Sequence, residues 1–365
     1  MAFKVVIFYS LLVSNYFLGL TFAKTKEPSN TVTKLGKHMG SQSHITGDIE
    51  NELVKLKKLL KEKSYSAFSQ LMQRSLQAHP NHTELLKLKK QFVIDDYKNE
   101  FLQSSSASTN YFIKPPSIGK CFEGKLSNEA YNKVLSRINY LRRLAGVNDS
   151  CSFNEIFNSH CQSAALMMEA NDALDHFPKS NWKCYTKNGA SVAGKSNLSL
   201  GNGFEDALMS QMKDDGQSNF ACGHRRWILN PENLVFGFGS TKQAMCLKVI
   251  GDLKGKVDVK SESINGIAWP SKDFFPIDLL PTRWSYSLKL ADFSKAKVTV
   301  MSEGKSLSVK TEKLAVGYAL NTLVWKLNTT LVDANKTFQV SIGNVYVNKK
   351  KIPNISYTIS FVDVK

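Results

Sequence analysis

Two of the seven histidines, His176 and His224, are candidates for chemistry, although either one taken alone could be an ordinary loop residue or a packed residue. A neutral imidazole can ligate zinc, act as a general base or hydrogen-bond a polar ligand. Each histidine lies beside a turn signal, Phe177-Pro178 in one case and Gly223 in the other, which favours an exposed loop. The sequence contains neither His-Glu-x-x-His nor Gly-x-Ser-x-Gly, so the common zinc-peptidase and serine-hydrolase motifs are excluded.

Two arginines, Arg225 and Arg226, follow His224 directly. A guanidinium beside a histidine could bind an anionic ligand group, so Arg225 is a candidate residue of a binding site. Adjacent arginines more often form ion pairs or face solvent, and that alternative stays open. His160, in contrast, falls on an apolar helical stretch and is interpreted as structural.

Cysteines are confined to one window of the chain. They are Cys121, Cys151, Cys161, Cys184, Cys222 and Cys246. An even number in one window predicts up to three disulfides in an oxidising compartment, although the connectivity stays open. We expect at least four of these cysteines to be bridged, with one pair of buried thiols as the alternative. A cysteine zinc site is disfavoured because no Cys-x-x-Cys pair occurs.

The segment 1–23 has the layout of a secretory signal peptide. Lys4 precedes an apolar run from Val5 to Leu20, and the small residue Ala23 ends the segment. An uncleaved membrane anchor is the alternative, but polar residues interrupt the run. We therefore predict a secreted, extracellular protein whose mature chain begins near Lys24.

The sequence carries marks of an extracellular protein beyond its amino terminus. N-glycosylation sequons begin at Asn81, Asn148, Asn197, Asn328, Asn335 and Asn354. The net charge is +17 and is spread along the chain, without a basic stripe that interleaves aromatic residues. Specific nucleic-acid binding is therefore not expected. Attraction to anionic glycans or membrane surfaces is expected, and it should weaken as salt concentration rises.

Residues 24–114 are predicted to form a polar leader followed by a helical hairpin region. The leader, 24–47, is polar and poor in aromatic residues. Helical periodicity begins at Asp48, returns near Tyr65 to Gln77, and continues from about Thr83 to Phe101. The middle part is similar to one tetratricopeptide-type hairpin. An ordinary hairpin is the simpler interpretation, because one repeat cannot bury its own face.

The rest of the chain divides into a helical part and a part rich in strands. Ser127 can cap one helix, and a second helix spans roughly Asn154 to Asp172. Prolines after Asp252 mark a rigid connection, and apolar residues then alternate with period two. The alternating residues are Ala296, Val298, Val300, Leu323, Trp325, Leu327, Phe338, Val340, Ile342, Ile355, Tyr357, Ile359 and Phe361. This spacing predicts a β-sandwich-like domain at residues 253–365.

Four motifs of the middle region occur in a characteristic order. They are Arg137–Arg143, Leu174–Pro178, Lys195–Leu198, and Gly223–Pro231 with Gly237–Gly239 close behind. This order and spacing resemble the CAP superfamily, which comprises cysteine-rich secretory proteins, antigen 5 and plant pathogenesis-related proteins. The last motif, with its Gly-His-Arg-Arg-Trp-Ile-Leu, resembles a branch frequent in bacteria that also carries a proline-linked β region.

The resemblance implies an α+β fold. Residues 115–252 would form a CAP domain, an α-β-α sandwich around an antiparallel sheet, with the helical region before it and the β domain after it. The resemblance also implies a shallow groove where two histidines and two acidic residues meet. By motif, the histidines of the groove are His176 and His224.

The resemblance is incomplete at the acidic half of the groove. Asn197 matches the family's Gly-Glu-Asn motif, but Ser196 stands where the family has its glutamate. Asp214 or Asp215 could supply the other acid, and Asp215 is kept as the candidate groove residue. Without the glutamate, a zinc ion on the two histidines lacks ligands, so we predict zinc affinity no tighter than micromolar.

Two functions from different classes remain. The first is a non-catalytic binding module for an extracellular glycan, lipid, sterol or protein. The second is a metal-assisted secreted peptidase or other hydrolase that uses His176 and His224, with zinc as its cofactor. The serine at position 196 counts against the second function, and we predict no general peptidase turnover.

Overall fold

The computed structural model describes residues 42–105, 110–251, 266–334 and 336–364. The predicted signal peptide at residues 1–23 lies outside these ranges, as does the leader up to residue 41. Glu52–Lys365 forms one compact unit, so the middle region, the β region and the helical region from Glu52 onward belong together. Within the described ranges, no helix is both long enough and apolar enough to cross a membrane.

The helical region contains three α-helices: α1 (Gln42–Lys61), α2 (Tyr65–Ala78) and α3 (Thr83–Asp96). A π-helical turn, Tyr97–Phe101, extends α3. The rings of Phe68 and Phe92 stack at 4.6 Å between centroids and hold α2 against α3, as the predicted hairpin requires. Helix α1 begins at Gln42, earlier than the periodicity at Asp48 indicates.

A buried ion-pair cluster joins the helical region to the middle region. Arg143 lies at the end of helix α4 (Asn128–Leu144). Its guanidinium reaches Asp96 of α3 at 2.6 Å and Asp149 at 2.6 Å. The two carboxylates raise the pKa of Arg143, because each stabilises its charged form. The guanidinium therefore stays charged, and it ties α3 to α4.

The middle region is a three-layer α-β-α sandwich, preceded by a two-stranded sheet of β1 (Phe112–Lys114) and β2 (Lys125–Leu126). Its sheet has the order β3-β5-β6-β4 and contains β3 (Ser152–Phe153), β4 (Ser196–Leu200), β5 (Val235–Ser240) and β6 (Ala244–Lys248). The outer layers contain α4, α5 (Glu155–Asn171), α6 (Lys187–Ala193), α7 (Phe204–Lys213) and the short α8 (Gly223–Ile228). The sheet is antiparallel except where β3 runs parallel to β5. Ser127 and Asn154 cap α4 and α5, as predicted.

Alternation along β4 and β6 separates the two faces of this sheet. Leu198 and its cross-strand partner Cys246 share a buried cluster with Cys161 and Ala165 of α5. On the opposite face, Ser199 accepts a hydrogen bond from Gln211 of α7 at 2.8 Å. Helices α5 and α7 therefore cover opposite faces of the sheet.

Helix α5 approaches β5 so closely that a side chain is excluded between them. A Cβ placed on Gly239 would lie 2.1 Å from the backbone nitrogen of Gln162. The amide of Gln162 in turn bonds the backbone of Ser240 in both directions, at 2.9 and 3.0 Å. Glycine at this position is thus what allows α5 to lie directly on the strand.

The β region packs a five-stranded sheet against a four-stranded sheet. The first has the order β12-β11-β15-β18-β8, the second has the order β13-β14-β9-β7, and β10-β16-β17 form a small third sheet. The strands are β7 (Ile267–Trp269), β8 (Asp273–Pro276), β9 (Arg283–Leu288), β10 (Ala291–Asp292), β11 (Lys297–Ser302), β12 (Lys305–Leu307), β13 (Lys310–Thr311), β14 (Asn321–Lys326), β15 (Thr337–Gly343), β16 (Tyr346–Val347), β17 (Lys350–Lys351) and β18 (Ile355–Val362). Trp284 of β9 meets Phe338 and Phe361 at 5.8 and 5.9 Å, which joins the two sheets through one aromatic core.

One disulfide, Cys121–Cys184, is present and closes a loop of 63 positions. The other cysteines, Cys151, Cys161, Cys222 and Cys246, are buried thiols in the structure. Two cysteines are therefore bridged, and the expectation of at least four bridged cysteines is not met. Burial raises the pKa of Cys151 to about 11, so this thiol is a poor nucleophile near neutral pH.

Candidate functional site

His224 lies near the start of α8, where a buried carboxylate fixes its ring. Its Nδ1 donates to Asp214 Oδ1 at 2.6 Å. The Asp214 side chain is fully buried, whereas 29% of the His224 side chain is exposed. Asp214 Oδ2 also accepts from the backbone N–H of Arg225 at 3.1 Å, so both carboxylate oxygens are occupied. The imidazole is consequently held in one orientation with part of its ring accessible.

Asp214 reaches this position because of where α7 ends. The helix ends at Lys213, and Asp214 follows it in the left-handed conformation, with φ +53°. This turn buries Asp214, whereas Asp215 is exposed and accepts from the Thr282 hydroxyl at 2.5 Å. The acidic partner of His224 is therefore Asp214, and Asp215, the candidate from sequence, instead joins the middle region to the β region.

His176 is exposed in the loop that follows α5. Its Nδ1 lies 2.8 Å from the carbonyl oxygen of Ala193, at the end of α6. A carbonyl oxygen can only accept, so Nδ1 carries the proton and Nε2 is left as an acceptor. The apolar neighbours Leu174 and Phe177 are 48% and 78% exposed. The loop thus presents an imidazole acceptor between two accessible apolar side chains.

The segment from Ala193 to Asn197 contacts both histidines. Its first carbonyl accepts from His176, and at its other end the Asn197 side-chain amide donates to the His224 carbonyl oxygen at 3.1 Å. Asn197 is 3% exposed, so it fixes backbone rather than offering its amide to a ligand. Ser196 is also buried and donates to the Val192 carbonyl at 2.7 Å.

Arg225 is buried and bonded to backbone, so it cannot serve as an anion-binding residue of a groove. Its guanidinium donates to the carbonyls of Met212 and Lys213 on one side, at 2.7 and 2.9 Å. On the other side it donates to the Arg283 carbonyl at 2.9 Å. Arg225 therefore joins α7 to strand β9. Bonds from a side chain to backbone carbonyls leave no pattern in the sequence, so the expectation that Arg225 lines the groove is corrected by these contacts.

Arg226 makes a second set of contacts with the β region. Its guanidinium donates to the carbonyls of Ala315, Tyr318 and Leu320, at 3.1, 2.7 and 2.8 Å. Burial lowers its pKa to about 10, because the loss of hydration outweighs the opposing influence of Cys222, Tyr318 and Asp214. A Cβ on Gly223 would lie 2.8 Å from the Tyr318 ring, so a larger residue there would have to displace that ring. The β region thus packs directly against the helix that carries His224.

The chemistry of this arrangement is hydrogen bonding and proton transfer more than metal binding. Both histidines donate through Nδ1 and keep Nε2 as an acceptor. A stable zinc site needs three or four protein ligands. Nowhere in the described part of the chain do three His, Cys, Asp or Glu side chains gather for a metal. With Ser196 turned toward Val192, the residues present do not fit zinc.

Residues 135–249 match the family model described as CAP: Cysteine-rich secretory protein family. The match covers all four motifs and the three-layer sandwich that contains them, except for the first part of α4. The family resemblance is thus shown for residues 135–249, and the sandwich that contains them is called the CAP domain. No curated protein and no solved structure matches the chain significantly.

Proposed function

We propose that the protein is a secreted binding protein whose surface around His176 and His224 holds an extracellular glycan, lipid, sterol or protein. The observation that carries the proposal is the fixed orientation of both imidazoles. Each is bonded through Nδ1 to an acceptor of the fold, a carbonyl for His176 and the Asp214 carboxylate for His224. Two preorganised Nε2 acceptors suit a ligand with hydroxyl or N–H donors.

The exposed apolar residues beside His176 support the same proposal. Leu174 and Phe177 lie in the same loop, and Phe177 is the more exposed of the two. A ligand with both donors and an apolar face, such as a sterol or a sugar ring, would contact the histidines and Phe177 together. The signal-peptide layout of residues 1–23 and the secretory family support placing this ligand outside the cell.

The test is binding of the full mature chain to glycan, lipid and sterol arrays. We expect His176→Ala and His224→Ala each to weaken the bound ligand about tenfold or more, since each removes a hydrogen-bond acceptor. His79→Ala is the matched control, because His79 lies at the end of α2, outside this surface. Affinity that is unchanged in both groove variants would overturn the proposal.

The His224–Asp214 pair also favours a second candidate, a hydrolase in which His224 acts as the base. A histidine oriented by a buried carboxylate is the arrangement of a general base. The readout is hydrolysis of a broad peptide library, with and without added zinc, beside His224→Ala. Turnover that is lost in the variant would favour the hydrolase. Absence of turnover would leave the binding protein as the only candidate.

The positive charge of the chain supports an additional attraction to anionic surfaces. The charge of +17 is distributed, so the attraction should be broad rather than confined to one site. We expect retention on heparin that falls steeply between low and physiological salt. Selective DNA binding that persists at high salt would contradict this expectation.

A further inference from the structure

A cavity of about 610 Å³ lies where the helical region, the CAP domain and the β region meet. Its walls come from α2, from the turn after α4 (Gly146–Asp149) and from the β9–β10 turn (Lys289–Leu290). Sites for small ligands commonly measure about 300–1,000 Å³, so the cavity has a suitable size. Neither His176 nor His224 lines it, which separates it from the candidate groove.

The wall formed by α2 is rich in side-chain amides. Gln70, Gln73 and Gln77 recur at helical spacing on one face of α2, together with Ser69. Gln73 donates to the Gly146 carbonyl at 2.7 Å, which fixes α2 against the CAP domain. A glutamine amide both donates and accepts, so a row of them matches a peptide main chain, which alternates N–H and C=O.

The β region contributes aliphatic side chains to the cavity wall. Ile267, Leu288 and Leu290 line it, and Leu290 is 62% exposed at a positive φ of 58°. The described residues that line the cavity include no aromatic side chain. The cavity therefore lacks the ring on which a sugar or a nucleobase would stack, but it can cover an aliphatic side chain.

One charge of the cavity has no ion-pair partner among the residues that the structure describes. Lys289 pairs with Glu232 at 2.6 Å, and Asp149 pairs with Arg143. Arg74, on the α2 wall, forms no ion pair with any residue that the structure describes. A free guanidinium binds a carboxylate through paired hydrogen bonds, so the cavity favours a ligand with one carboxylate.

We propose that this cavity binds the C-terminal residues of a short peptide that ends in an aliphatic side chain. The terminal carboxylate pairs with Arg74, the main chain bonds the glutamines of α2, and the side chain packs against Leu288 and Leu290. A peptide meets all three features of the cavity at once. An acidic sugar would use Arg74 and the glutamines but leave the aliphatic wall uncovered.

The experiment is calorimetric titration of the full mature chain with Gly-Gly-Leu and with the same peptide amidated at its C-terminus. We expect amidation to weaken binding about tenfold, because it removes the carboxylate. Arg74→Gln should weaken the free acid equally and leave the amide unchanged. Leu290→Ala should reduce the preference for Gly-Gly-Leu over Gly-Gly-Ala. Both residues are exposed, so the variants should fold.

Two control variants separate the cavity from surface charge and from the histidine groove. Lys87→Gln removes an exposed cation of α3, and His176→Ala alters the groove; neither should change peptide binding. The proposal is overturned if no tripeptide binds at millimolar concentration, if acid and amide bind equally, or if Arg74→Gln has no effect. Binding of an acidic heparin disaccharide, with none of the tripeptide, would also overturn it.

Discussion

At the scale of single residues, one backbone turn determines which of the neighbours Asp214 and Asp215 contacts His224. Both are aspartates in a loop, and no pattern of types or spacing separates them. The left-handed turn at Asp214 buries its carboxylate against His224, while Asp215 remains exposed. The motifs were enough to predict both histidines. Which aspartate pairs with His224 depends on a backbone dihedral angle, and that angle cannot be read from the sequence.

These neighbours supply a matched pair of substitutions. Asp214→Asn removes the charge from two buried hydrogen bonds, to His224 and to the Arg225 backbone. We expect a loss of about 2 kcal/mol in the free energy of unfolding, measured with urea. Asp215→Asn alters one exposed bond and should change stability by less than about 0.5 kcal/mol. Equal losses for the two variants would contradict the assignment.

A second residue-scale prediction concerns Asp96. Burial outweighs the Arg143 ion pair and raises the pKa of Asp96 from 3.8 to about 6. Between pH 3.8 and about 6, the folded protein therefore holds a proton that the unfolded chain has released. The stability contributed by Asp96 is complete below its unfolded pKa. That contribution is lost as pH rises through about 6.

The measurement compares wild type with Asp96→Asn, whose amide does not titrate. As pH rises from 4 to 7, the unfolding free energy of the wild type should fall relative to that of the variant. If the two proteins show parallel pH profiles over this interval, burial does not raise the pKa of Asp96.

At the scale of elements, periodicity was enough to predict most of the long helices and four strands of the β region, whereas the equally long β5 and β9 were not predicted. Helices α2, α4 and α5 and strands β11, β14, β15 and β18 lie where apolar spacing places them. The two- and three-residue strands were not predicted, because two residues cannot display a period. The CAP family assignment and the α+β fold are likewise confirmed.

The contact between α3 and α4 leads to the largest expected effect of a substitution. Arg143→Ala leaves the buried carboxylates of Asp96 and Asp149 without their cation. We expect a loss of about 3–5 kcal/mol, read from urea unfolding, because an unpaired buried charge is strongly unfavourable. Lys58→Ala, which breaks an exposed pair with Glu62, should cost less than about 0.5 kcal/mol. If Arg143→Ala lowers the unfolding free energy no more than Lys58→Ala does, the ion-pair cluster does not hold α3 against α4.

At the scale of the whole molecule, the sequence indicated three regions but not how firmly they are joined. The joining contacts link residues far apart in sequence, such as Arg226 with Tyr318 and Arg143 with Asp96. Such pairs leave no local pattern. The structure places the regions from Glu52 onward in one compact unit, and the boundary predicted at residues 252–253 lies at the edge of a range that the structure does not describe.

We therefore expect the full chain to unfold in one calorimetric transition. Arg226→Ala leaves the carbonyls of Ala315, Tyr318 and Leu320 without their donor and should lower stability by about 3 kcal/mol. Lys297→Ala, an exposed change on β11, should leave the transition in place. Two well-separated transitions in the wild type would show that the β region folds as an independent unit.

The arginine contacts between the CAP domain and the β region have an evolutionary consequence. Arg225 and Arg226 bond carbonyl oxygens of the β region, and Arg283 returns bonds to the carbonyls of Asp214 and Gly216 at 2.7 and 2.8 Å. Every residue type carries the same carbonyl, so substitutions at the accepting positions leave these bonds intact. These contacts can therefore hold the backbone in the same position while the side chains of the accepting loops change. Related chains could therefore keep the arginines and exchange almost every side chain that faces them.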